Sequence, residues 1–218
     1  ALTIPIGFKE YRGSLVKLDS NTSYDIEVMT QAAGNRKLAS ATVSTWNEVF
    51  PEGVVTTLPA SSTAELNISA SGTAGAYRVY KPSGASAIIN RQGTSSYGGR
   101  ISGAYIILRD VEVKNCQIYC VGLDSTAHHV VIEGCDLHHY GKADPVEPIY
   151  GVNETGAVGT TSGSPNPDVT DIVVQNCKLH DPSFDANSWA DPPRLNDGDT
   201  HPEGSTALNF VNTGGKFV

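Results

Sequence analysis

Three ten-residue stretches of this chain can be laid over one another position by position, and that overlay limits the fold more than any other feature. They are Ile106-Ile107-Leu108-Arg109-Asp110-Val111-Glu112-Val113-Lys114-Asn115, Val130-Val131-Ile132-Glu133-Gly134-Cys135-Asp136-Leu137-His138-His139 and Ile172-Val173-Val174-Gln175-Asn176-Cys177-Lys178-Leu179-His180-Asp181. Each runs through three apolar residues, a polar one and a small or polar one. Then come an apolar, a charged and an apolar residue, a Lys or His, and a polar residue. Arg109 and Glu133 are 24 residues apart, and Glu133 and Gln175 are 42 apart. Repeats of about 20–50 residues signal a solenoid. A coil of about 24 residues without helical periodicity has room for three short strands and three turns. The excess of 18 in the second step predicts an insertion within residues 144–168, a stretch rich in Pro, Gly, Ser and Thr.

In a stacked coil, like positions recur about 4.8 Å apart up a column, so each column selects one chemistry. The overlay thus predicts one buried column of Val111, Cys135 and Cys177 and another of Val113, Leu137 and Leu179. A β-sandwich gives no reason for the same residue class to return after every turn. Further strands are predicted at 119–123, 149–152 and 207–210, with 77–80 and 87–89 belonging to an earlier coil. Phe217-Val218 reads as the start of a strand, so a missing segment or another chain is expected to continue the stack.

The first part of the chain reads differently. Leu15-Val16-Lys17-Leu18, Tyr24-Asp25-Ile26-Glu27-Val28 and Ala41-Thr42-Val43-Ser44-Thr45 alternate as antiparallel strands do. Asp19-Ser20-Asn21 and Ala33-Gly34-Asn35 supply turns. Residues 1–57 are therefore expected to form a small antiparallel cap and 58–218 the coils. Leu18, Thr22, Tyr24, Ile26 and Val28 make a pattern that resembles the tyrosine-corner strand of fibronectin type III domains. In those domains the Tyr hydroxyl bonds back to the chain before its strand. A whole domain of that kind needs about 100 residues, so only its last three strands have room here.

Composition narrows the function. Net charge is −8, and Lys and Arg are scattered, so the basic stripe of a nucleic-acid binder is missing. No run of about 18 apolar residues is present to span a membrane. The chain begins at Ala1 without a charged-then-apolar leader, which is read as an export signal already removed. Cys116, Cys120, Cys135 and Cys177 have neither CxxC nor zinc spacing. Cys135 and Cys177 are expected to act as small buried hydrophobes, and a disulfide between them stays open.

The phrases Gly103-Ala104-Tyr105-Ile106-Ile107-Leu108-Arg109-Asp110, His129-Val130-Val131-Ile132-Glu133-Gly134-Cys135-Asp136-Leu137 and Gln175-Asn176-Cys177-Lys178-Leu179-His180-Asp181 resemble repeats of the pectate-lyase-like superfamily. The resemblance covers about residues 58–218. It implies an all-β fold: a right-handed parallel β-helix solenoid behind a small N-terminal antiparallel β segment. The superfamily includes polysaccharide lyases, glycoside hydrolases, epimerases and phage tailspikes. With the fibronectin-like lead-in, it implies a secreted, extracellular protein that binds a polysaccharide and cleaves it as a lyase or glycoside hydrolase. The competing expectation is a structural or adhesive solenoid, such as a filament subunit or a tailspike-like binding module. No catalytic motif of one family matches well enough to carry residues over.

Two clusters could carry chemistry. His138, His139, Tyr140, Lys142, Asp144 and Glu147 follow the second repeat, where they form either a polar turn or an acid–base site. The second cluster lies in residues 181–203, which interrupt the β pattern. There Trp189 could stack on a sugar and Arg194 could clamp a carboxylate or sulfate. Asp197, Asp199, His201 and Glu203 alternate, so an extended backbone would turn them to one side. Oxygen ligands at Asp197 and Asp199 would suit calcium; a hydrated acidic turn is the plainer alternative. A lyase would use His139, Lys142 or His201 as base, with Arg194 or calcium as neutraliser. A hydrolase would draw two carboxylates from Asp197, Asp199 and Glu203.

Overall fold

The structure is a computed structural model that describes residues 15–32, 35–141, 155–161, 168–183 and 206–210. The chain divides into two compact units, Ala1–Phe50 and Pro51–Val218. Among the described residues there is no helix.

In the first unit, β1 (Ser23–Ala32) and β2 (Asn35–Ser44) pair antiparallel from Ser23↔Ser44 to Ala32↔Asn35. Tyr24 bonds back to the chain as expected, its hydroxyl accepting from the Asp19 amide at 2.8 Å. The strand expected at 15–18 does not form. Lys17 has φ +61°, which breaks an extended run, and Leu15 and Val16 are exposed. Alternation of residue type makes a strand only where an edge is there to pair with.

The described residues of the second unit form fifteen strands in three parallel sheets. Its first coil is β3 (Glu52–Leu58), β4 (Ser61–Ser62) and β5 (Leu66–Ile68). The second is β6 (Tyr77–Pro82), β7 (Ala87–Asn90) and β8 (Tyr97–Ile101). The third is β9 (Ala104–Arg109), β10 (Val111–Cys116) and β11 (Tyr119–Leu123). The fourth is β12 (His128–Glu133), β13 (Asp136–Tyr140) and β14 (Gly156–Thr160). The fifth is β15 (Thr170–Gln175), β16 (Lys178–His180) and β17 (Thr206–Asn209). One sheet stacks β3, β6, β9, β12 and β15; the second stacks β4, β7, β10, β13 and β16; the third stacks β5, β8, β11, β14 and β17. This is a parallel β-helix with a small antiparallel segment. The stack begins with β3, which pairs in parallel with β6.

Register follows the sequence overlay. Arg109 pairs with Glu133, and Glu133 with Gln175. Val113 pairs with Leu137, and Leu137 with Leu179, with Ile89 before them in the same file. Ile89, Val113 and Leu137 are buried, and Leu179 packs against the same core. Cys135 and Cys177 take equivalent places one coil apart. The Cys135 thiol donates to the Glu133 and Leu108 carbonyls, and the Cys177 thiol to the Gln175 and Ile132 carbonyls. All four cysteines are free. The hydrogen bond with Cys177, together with burial, pushes the Cys135 thiol pKa up, so it stays a protonated small hydrophobe.

The small and polar positions of the repeat are where the chain bends. Asp110, Gly134 and Asn176 each follow the last paired residue of the first sheet, with φ +56°, +62° and +54°. Asn115 and His139 lie one residue before the ends of β10 and β13, and Asp181 just after β16, with φ +57°, +53° and +46°. This left-handed region is open to Gly and tolerated by Asn and Asp.

The range expected to hold the insertion also holds a strand of the third sheet. Residues 144–168 contain β14, whose Tyr119↔Gly156 and Val121↔Val158 pairs fill the third sheet. Its sequence Gly156-Ala157-Val158-Gly159-Thr160 looks like loop, but all five residues are buried. A Cβ on Gly159 would lie 2.7 Å from the Asn209 carbonyl oxygen and run into the Tyr119 ring. The glycine answers to close packing there, not to a turn. The strands expected at 149–152 and 217–218 lie outside the described residues.

Candidate functional site

Strand alternation sends Val111, Val113 and Leu137 inward, and their neighbours outward. The outer face of the second sheet therefore carries two files. One is Glu112, Asp136 and Lys178; the other is Asn90, Lys114, His138 and His180. Contacts between the files run diagonally from one coil to the next. His138 Nε2 lies 3.3 Å from Glu112 Oε1, and His180 Nε2 lies 2.7 Å from Asp136 Oδ1. Lys114 Nζ also donates to Glu112 Oε1. The His138 and His180 rings stack at 5.1 Å with 9° between their planes.

Of the first expected cluster, His138, His139 and Tyr140 are among the described residues. His139 sits in the left-handed column at the end of β13, exposed, with its amide donating to the Asp181 carbonyl at 2.7 Å. Its Nδ1 lies 2.6 Å from His138 Nδ1. With neutral rings this contact admits one order. His138 Nε2–H donates to Glu112, so His138 Nδ1 accepts and His139 Nδ1–H donates. Among the described residues the Nε2 of His139 then has no hydrogen-bond partner, at the exposed end of a Glu112–His138–His139 chain.

His180 meets a carboxylate at each ring nitrogen. Its Nδ1 faces Asp181 Oδ2 at 2.9 Å, while its Nε2 faces Asp136. The hydrogen bonds to Asp181 and then Asp136 raise its pKa, and the imidazolium in turn lowers that of Asp181. The Glu112 carboxyl is also lowered, first by Lys114 and then by His138. Imidazoles and carboxylates thus alternate across neighbouring coils of one face.

No family model, curated protein or solved structure matches this chain. What the site can do has to come from its chemistry. Lys142, Trp189, Arg194, Asp197, Asp199, His201 and Glu203 lie outside the described residues. Among the described residues, no three His, Cys, Asp or Glu side chains are grouped to hold a metal ion. Tyr140 faces the core, 3% exposed, and does not belong to the polar face. The partners missed from the sequence are Glu112 and Asp136. Their signal was the charged position of the overlay, two residues before Lys114 and His138 on an alternating strand.

Proposed function

We propose that this protein is an extracellular polysaccharide-binding and polysaccharide-cleaving β-helix, as its resemblance to pectate-lyase-like repeats implies. The observation that carries the reading is the row of imidazoles on neighbouring coils, His139 against His138 and His138 stacked on a His180 that meets Asp136 and Asp181. Elimination needs a base and an acid. His139 takes the proton α to a uronate carboxylate, a C=C bond forms, the glycosidic C–O bond breaks, and His180 gives its proton to the leaving oxygen. Lys114 and His180 supply positive charge near the enolate-like carboxylate. Glu112 is a poor nucleophile for hydrolysis, because Lys114 and His138 both draw on its Oε1. The Tyr24–Asp19 bond supports a fibronectin-like lead-in of the kind secreted polysaccharide-degrading enzymes carry.

The test is incubation with a panel of uronate and neutral polymers, following unsaturated product by ultraviolet absorbance and reducing ends in parallel. Unsaturated product is expected. His139→Asn suits the test because Asn115 already stands in the same left-handed column. It should fold normally and lose about 100-fold or more in turnover. Undiminished turnover in that variant, or no product from any polymer, contradicts the proposal.

A further inference from the structure

Where the third sheet leads into the first, a second file runs up the solenoid. Tyr77, Tyr105, His129 and Asp171 occupy equivalent places in four successive coils, one residue before the Arg78↔Ile106 pair and one after the Ala104↔His128↔Thr170 pairs. The Tyr77 and Tyr105 rings meet edge-on at 5.5 Å. Tyr105 lies 4.6 Å from His129 at a tilt of 33°, and 5.4 Å from His128. His129 Nε2 reaches Asp171 Oδ2 at 3.7 Å. Tyr105, His128 and His129 are half-buried, so each ring keeps part of its surface in solvent. Three coil steps give the file a length of about 14 Å, close to that of a trisaccharide.

Two further observations mark this file. Tyr105 and His129 hold φ +56° and +52°, a conformation that Asn or Gly would adopt at lower cost. The bulky rings are kept against that preference. Beside them opens a cleft of about 440 Å³ lined by Thr126, His128, Asp168 and Thr170. Its lining of hydroxyls, a carboxylate and an imidazole suits the hydroxyl groups of a sugar, and the neighbouring rings suit its apolar face. Asp168 and Asp171 make the patch acidic, which disfavours an anionic ligand.

The geometry points to a binding site for neutral pyranose units on the Tyr105–His128–His129 file and the cleft beside it, separate from the acid–base face. The inference rests on the reading of the protein as polysaccharide-active, and it concerns binding where that reading concerns cleavage. The test is affinity electrophoresis of the whole chain through gels containing galactomannan, arabinoxylan or mixed-linkage β-glucan, against polygalacturonate and alginate. At least one neutral polymer should retard the protein. Tyr105→Asn removes the ring and relieves the backbone, so it should keep its far-ultraviolet circular dichroism and melting temperature while weakening retention about tenfold or more. His128→Ala should weaken retention likewise. Equal retention of the Tyr105→Asn and unaltered proteins overturns the inference, as does retardation by the uronate gels alone or by no gel. Production of cleavage products in the separate assay would leave the catalytic reading standing in each of those cases.

Discussion

At the scale of single residues, the outer face is organised by which nitrogen of each imidazole meets a carboxylate. His180 is flanked on both nitrogens, so its charged form is favoured and its pKa is raised, with Asp181 the larger cause and Asp136 the smaller. A raised imidazole pKa stabilises the fold in full below the ordinary value of about 6.5. That contribution is lost as pH rises through the folded-state value. Asp181, held low by His180, contributes above its ordinary value and loses its effect as pH falls through the lowered one. The pair is thus strongest between those two titrations. The expected outcome of an NMR titration is a His180 midpoint above the ordinary one. Asp181→Asn should return it further toward the ordinary value than Asp136→Asn does. A midpoint that neither substitution moves would contradict the geometry. His139 was readable in the sequence because it ends a repeat at a His or polar position. Its link to Glu112 was not, because the link depends on side chains reaching across coils.

At the scale of elements, turns and strands obey different local rules, and the sequence exposes them unequally. The column Asp110, Gly134, Asn176 uses residues that enter the left-handed region at little cost. A β-branched residue there is strained whatever the space around it. Gly134→Val should destabilise by about 2 kcal/mol, while Gly134→Asn should stay within about 1 kcal/mol of the unaltered protein. Its Cβ would press only on the Asp110 carboxylate, which can turn aside. Chemical denaturation would measure both; equal losses would deny the column its conformational role. The same logic explains two misread elements. The 15–18 stretch alternates like a strand, yet Lys17 in the left-handed region ends the run. Gly156–Thr160 looks like loop, yet its glycines let a buried strand pass close to Tyr119 and the β17 backbone. Alternation is local and legible, whereas close approach is set by a neighbour 37 or 50 residues away, as in Tyr119↔Gly156 and Gly156↔Thr206.

At the scale of the whole molecule, five coils place like residues above one another, and every proposed role depends on that stacking. The architecture of the second unit was readable because burial selects each column alike, as with Ile89, Val113 and Leu137. The outward files are less constrained, and there Arg109, Glu133 and Gln175 are joined by hydrogen bonds from Arg109 Nε to Glu133 Oε1 and from Gln175 Nε2 to Glu133 Oε2. Adjacent coils set Cα atoms about 4.8 Å apart, inside the span of roughly 4.4–6.8 Å that a disulfide bridges. Two coils set them roughly 9.6 Å apart, beyond it. The most direct measurement is therefore disulfide trapping at outward positions, mapped by mass spectrometry of the linked peptides. Arg109→Cys with Glu133→Cys should cross-link under mild oxidation, and Arg109→Cys with Gln175→Cys should not. Cross-linking of both pairs alike, or failure of the adjacent pair, would contradict the stacked solenoid and with it the acid–base face.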